Sequence, residues 1–163
     1  MEYLAGTLFV GVGATAVMDV WGIARRRLLG IAAPDYGLVG RWLAHMLRGR
    51  FAHASIAVAA PVRGERAIGW AAHYAIGIAF AALLPAVWGP AWLRQPTLGP
   101  ALIVGIGTVA APFLVMQPGM GAGLAASRTP RPSAARVQSL VTHLIFGFGL
   151  YAVGLAASLM LAP

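Results

Sequence analysis

The sequence predicts an all-α membrane protein with four transmembrane helices, and three observations predict it. Four apolar stretches, residues 3–24, 68–88, 100–126 and 137–161, each reach crossing length, which is roughly 20 helical residues for a ~30 Å hydrocarbon layer. The chain is 60% hydrophobic and only 10% charged, with a mean hydropathy of +0.78, whereas soluble domains carry about a quarter charged residues. The charges flank the apolar runs rather than interrupt them. At 163 residues the chain is expected to form a single domain, 1–163.

Span 1 opens on Met1-Glu2, lacks a basic leader and has too long an apolar run for a cleaved signal peptide, so it reads as a retained helix. The loop after it contains GLVGRWLAHMLRG, residues 37–49. Leu38, Val39, Trp42, Leu43 and Met46 repeat there at helical spacing, with Arg41, His45 and Arg48 on the other face. This predicts an amphipathic helix over about 36–49, lying in the membrane interface or serving as a lid over a cavity in the bundle. Asp35 is its expected N-cap. His45 and His53 are expected to be interfacial or solvated. Between spans 2 and 3 the loop GPAWLRQPTLGP is short, and Trp88 and Trp92 suit an aromatic belt. Span 3 is interrupted by Pro112 and Pro118 and runs into QPGMGAG, where a regular helix is not expected to persist. Irregular backbone at membrane depth must be buried or line a watery cavity, and its N–H groups suit an anion. The G-x-G-x-G spacing follows no strand and is no nucleotide fingerprint. The loop SRTPRPSAAR is expected to be extended, with Ser133 capping span 4.

All twelve cations are arginine. Eight lie between spans 1 and 2 (Arg25, Arg26, Arg27, Arg41, Arg48, Arg50, Arg63, Arg66), three between spans 3 and 4 (Arg128, Arg131, Arg136), and only Arg94 between spans 2 and 3. The positive-inside rule then puts the first and third loops in the cytoplasm and both termini outside it, in a bacterial inner membrane. Arg25, Arg26, Arg27, Arg41 and Arg48 are expected at anionic headgroups. The net charge of +8 does not indicate nucleic acid, because the cations flank spans instead of gathering on a soluble face. The absence of cysteine excludes disulfides and thiolate chemistry.

An internal repeat organises the spans. FVGVGATAVMD (9–19) and IVGIGTVAAPFLVMQ (103–117) share V-G-aliphatic-G and a later V-M-polar, the second being four residues longer. HYAIG (73–77) and HLIFG (143–147) then match in spans 2 and 4. The chain thus reads as two parallel helical hairpins, with Asp19 corresponding to Gln117 and His73 to His143.

These polar residues share a depth. Asp19 lies six residues before Arg25, His73 seven after Arg66 and His143 seven after Arg136, which is ~9–10 Å along a helix. Each sits on an i+4 stripe of small residues: Thr7, Gly11, Thr15, Asp19; Gly69, His73, Gly77, Ala81; Ser139, His143, Gly147, Tyr151. Small residues let membrane helices approach closely, and a lipid-facing Asp costs about 2.5–3.5 kcal/mol. The stripes should therefore face inward.

The favoured reading is a buried Asp/His site that binds or translocates a proton, ion or small polar ligand, built from Asp19, His73, Gln117 and His143 with Thr15, Gly119 and Gly121. Because four helices are few for a transporter, a homo-oligomer is expected. An alternative is a haem b between His73 and His143, or a transition metal on His73, His143 and Asp19, with Met116 and Met120 (or Met18) as thioether ligands. A third is a structural bundle whose polar residues only hydrogen-bond one another. An enzyme using a His–Asp base with Thr15, Ser139 or Thr142 is the weakest reading, because neither a nucleophile elbow nor an H-E-x-x-H motif is present.

The segments GVGATAVMDVWGIARRRLLG, PDYGLVGRW, AAPVRGERAIGW and LVMQPGMGAGLAASRTP resemble a bacterial inner-membrane family catalogued as domain of unknown function 2938. The resemblance spans nearly the whole chain and is most specific in QPGMGAG–SRTP. It implies a four-span membrane protein and implies no activity.

Overall fold

The computed structural model describes the backbone of residues 2–160 and the side chains of residues 3–159. Its helices are α1 (Glu2–Leu29), α2 (Tyr36–Met46), α3 (Glu65–Trp88), α4 (Leu98–Gly107), α5 (Gln117–Met120) and α6 (Pro132–Met160), and no strand occurs among the described residues. Four helical segments are long and apolar enough to cross a membrane: Tyr3–Leu29, Glu65–Trp88, Leu98–Met120 and Pro132–Leu159. The four-span expectation holds, with shifted bounds. Helices outrun the apolar slab wherever the flanking residues are good helix formers, as Arg25, Arg26, Arg27 and Leu28 are. α1 stops only at Gly30, whose φ of +65° admits the left-handed turn that ends helices. α6 begins at Pro132, so Ser133 sits inside its first turn and does not cap it. Proline suits a first helical position, where its missing N–H has no intrahelical partner to lose. The expected last residue of span 4, Leu161, lies outside the described residues.

Span 3 is irregular in a way the sequence did not specify. α4 ends at Gly107, and Pro112–Met116 form a π-helical turn leading directly into α5. Pro112 has no N–H for the carbonyl four residues back, and a wider turn absorbs the extra residue. Pro118, by contrast, does not break the helix; α5 continues through it to Met120. It ends where Gly121 (φ +94°) turns left-handed, with Gly121 N–H donating to Pro118 O at 3.1 Å and Ala122 N–H to Gln117 O at 2.8 Å. That paired pattern caps the last carbonyls. The span therefore closes at Met120 rather than at 126.

The chain divides into two compact units. The first comprises residues 1–33, 74–108 and 140–163. Within it α1 and α3 are antiparallel: Gly11 meets Ile78, Thr15 meets Gly77 and Asp19 meets Tyr74. α1 and α6 are antiparallel through Gly13 with Val153 and Ala14 with Gly149, and α4 and α6 through Leu102 with Gly147 and Thr108 with His143. Val10, Ala14, Leu84, Trp92, Leu93, Val104, Phe146 and Leu150 form its core. Only 22–33% of each span's most apolar window is buried inside the chain, so most apolar surface points outward, as a lipid solvent allows.

The second unit comprises residues 34–73 and 109–139. The expected cap is present: Asp35 accepts from Gly37 N–H at 2.8 Å and opens α2. α2 crosses the start of α3 at Gly40 and Gly69, where an added Cβ would collide with the Glu65 and Tyr36 carbonyls respectively. The helix ends at Met46, short of the expected 49, and Gly49 turns with φ +78°.

Candidate functional site

In the first unit, glycine brings the polar stripes together. At Gly77 an added Cβ would strike Thr15 Oγ1, and at Gly11 it would lie 2.6 Å from Ile78 Cα. Thr15 is 1% exposed and donates to Gly11 O at 2.7 Å, so its hydroxyl is satisfied within its own helix. One turn further, the Tyr74 hydroxyl donates to Asp19 Oδ2 at 2.9 Å. The α4–α6 crossing is equally close, since a Cβ on Gly105 would strike Gly147 Cα. Beside it, His143 Nδ1 lies 3.2 Å from Thr108 Oγ1 and 3.3 Å from Gly105 O, while Thr108 Oγ1 donates to that same carbonyl at 2.8 Å. A carbonyl only accepts, so Nδ1 carries the hydrogen and Nε2 is the basic nitrogen of His143.

The expected site residues fall in both units. Asp19 and His143 belong to the first unit, His73 and Gln117 to the second. His73 stacks on Tyr36 with ring centroids 4.0 Å apart, and Trp70 meets the same tyrosine at 4.6 Å. Gln117 Oε1 is buried without a hydrogen-bond partner. The glycines after it serve the protein's own packing. Gly119 faces the Trp42 indole, with Nε1 2.7 Å from where a Cβ would stand, and Gly121 abuts the Ala54 carbonyl. The N–H groups of Gly121, Ala122, Ser127 and Arg128 are bonded to backbone carbonyls and are not offered to an anion. Of the methionines, Met18 packs on the core of the first unit, and Met116 and Met120 are half-buried in the second. Ser139 and Thr142 are half-buried on α6. Among the described residues no three His, Asp or Glu side chains gather closely enough to hold a metal ion.

Two expectations for the first loop are corrected. His45 is not solvated: it is 4% exposed, and its Nδ1 lies 2.8 Å from Nε2 of His53. Only the i+4 relation of Arg41 to His45 hinted at this, since both turn toward residues 51–60. Arg41 grips Glu65 with two bonds, Nε–Oε2 at 2.8 Å and Nη2–Oε1 at 2.7 Å. The hydrogen bonds that Arg41 donates to Glu65 raise the Arg41 pKa above its already high range, so the pair stays ionised. Arg25 likewise is buried, donating to Ala32 O at 3.1 Å. Arg26, Arg27 and Arg48 remain exposed at the positions expected to meet headgroups.

Residues 8–157 match the model of a family described as Protein of unknown function (DUF2938). The chain belongs to that family. Membership in DUF2938 covers every candidate residue from Asp19 to His143, and the description assigns no activity. No curated protein and no solved structure matches the chain.

Proposed function

We propose that this DUF2938 chain is a multi-pass inner-membrane protein that binds or passes a proton, or another small polar ligand, through Asp19–Tyr74 and Thr108–His143. The observation that carries the reading is the carboxylate–phenol bond of 2.9 Å inside apolar helices. A carboxyl group at such depth is costly and, by default, functional. Tyr74 donates to Asp19, and His143 keeps Nε2 as a lone-pair nitrogen while Nδ1 is engaged. Both groups sit within about a turn of crossings where glycines bring neighbouring helices close.

The repeat belongs to the same proposal. Gly11 and Gly105 correspond in the two copies, as do Gly77 and Gly147. Gly11 O lies 3.6 Å from the Gly77 Cβ position, and Gly105 meets Gly147 directly. Equivalent glycines therefore sit at a close helix crossing in each hairpin. We further propose that the first and third loops are cytoplasmic, that Arg26, Arg27 and Arg48 meet anionic headgroups, and that the outward apolar faces support a homo-oligomer.

Reconstitution into liposomes with an internal pH dye tests the site. Asp19→Asn is expected to abolish proton flux, and Tyr74→Phe to reduce it, with unfolding in detergent little changed. Flux equal to wild type in both variants, or none in any protein, would leave only the structural reading, in which these bonds fix helix register.

A further inference from the structure

Residues 51–60 form a strap whose only regular structure is a 3-10 turn at Ile56–Val58, so most of its carbonyls need partners from elsewhere. Three side chains of α2, Arg41, Trp42 and His45, supply several of them. Trp42 Nε1 donates to Phe51 O at 2.9 Å. Arg41 Nη1 donates to Ile56, Ala57 and Ala59 O at 3.2, 3.1 and 3.1 Å. His45 Nε2 meets Ala60 O at 3.1 Å. The strap answers through His53, whose backbone N–H donates to Gly119 O at 2.9 Å and whose Nε2 lies 2.8 Å from His45 Nδ1.

These contacts fix where the hydrogens are. Ala60 O only accepts, so His45 Nε2 carries a hydrogen. In the neutral ring Nδ1 is then a bare lone pair, and the hydrogen in the imidazole–imidazole contact belongs to His53 Nε2. That leaves Nδ1 of His53 as the bare nitrogen, and it is buried without a hydrogen-bond partner.

We propose that the His45–His53 pair is a proton-binding latch that closes the strap onto α2, holding one proton at Nδ1 of His53 while closed and opening when a second reaches His45. The first proton leaves both existing bonds intact. A second puts an N–H on His45 Nδ1, facing the N–H of His53 Nε2, and sets two cations at hydrogen-bond distance. The contact cannot survive as a hydrogen bond, and like charges that close repel strongly. Glu65 of α3, gripped by Arg41 of α2, also attracts a charge on His45. Asp35 caps Gly37, Gln117 of α5 is neutral, and Arg48 and Arg50 beyond α2 add positive charge. None of these removes the repulsion between two charged rings at the 2.8 Å contact.

Histidine changes charge between about pH 5 and 8, which makes the latch readable in solution. The test is imidazole ¹⁵N NMR of the full chain in nanodiscs, together with hydrogen exchange of residues 51–60, across that range. The neutral pair should show Nε2–H tautomers in both rings. On acidification one ring should charge before the other, because the two titrate as a coupled pair. Strap protection should stay level through the first step and fall about tenfold or more on the second. His53→Gln, whose amide can still donate to His45 Nδ1, should keep the strap closed and delete the first step. An Nδ1–H tautomer at His53, or independent titration of the rings with no change in strap protection, would overturn the proposal. Should the variant fail to fold, the wild-type titration still decides.

Discussion

At the scale of single residues, glycine decides where these helices touch. Gly105 has no room for a side chain, because its Cβ would enter the backbone of Gly147. Gly99, on the same helix, meets nothing within 4 Å. Gly105→Val is therefore expected to lower stability by about 1–3 kcal/mol, the usual cost of overpacking. Gly99→Ala should change it by less than ~1 kcal/mol, within helix-propensity effects. Unfolding in a mixed-micelle titration separates the two, and equal losses would show that the crossing is not close. The stripes were legible in the sequence because i+4 spacing of small residues maps directly onto one helix face. Partners within a unit were harder to see: Tyr74 donates to Asp19, and counting depth along the spans gave no sign of that tyrosine. His45 and His53 were missed for a related reason. Eight residues apart in an arginine-rich loop, they carry no apolar period that marks burial, and only the folded strap brings their rings together.

At the scale of elements, the surprise is the first loop. Its amphipathic helix was legible, cap included, because Asp35 and the apolar spacing are local signals. What the spacing could not tell is that the polar face would be used internally. Arg41, His45 and Trp42 point at a strap with little hydrogen bonding of its own, and a guanidinium offers five donors in a fixed fork. Arg41 spends them on Glu65 and three carbonyls. A lysine keeps the charge but not the fork. Arg41→Lys is accordingly expected to loosen the strap while the spans persist, raising tryptic cleavage after Arg50 by roughly tenfold, since cleavage follows the population of the open segment. Unchanged cleavage would mean that Trp42 and His45 hold the strap alone. Span 3 teaches the complementary lesson. Both prolines were visible, yet only Pro112 reshapes the helix. Pro118 falls just after a π-helical turn, where the regular ladder is already interrupted, so a residue's breaking power depends on the turn it lands in.

At the scale of the whole chain, four spans were legible because hydropathy summed over twenty residues is insensitive to local detail. The direction of insertion rests on a different property. Eleven arginines lie in the first and third loops and one in the second. Folding buries Arg25 and engages Arg41 and Arg136 through internal hydrogen bonds. Insertion, however, reads the chain before those bonds exist, so they do not weaken the bias. The loops holding α2 and the start of α6 should therefore both be cytoplasmic, with the Pro90–Leu93 turn outside. The cysteine-free sequence makes this directly measurable. Leu47→Cys, Gln95→Cys and Ser133→Cys each place one thiol at an exposed position without changing an arginine. In intact cells a membrane-impermeant maleimide should label the Gln95 variant alone, and permeabilisation should add the other two. Labelling of Leu47 and Ser133 but not Gln95 would invert the topology. It would also put the His45–His53 latch, and the arginines around it, on the side of the membrane that faces the environment.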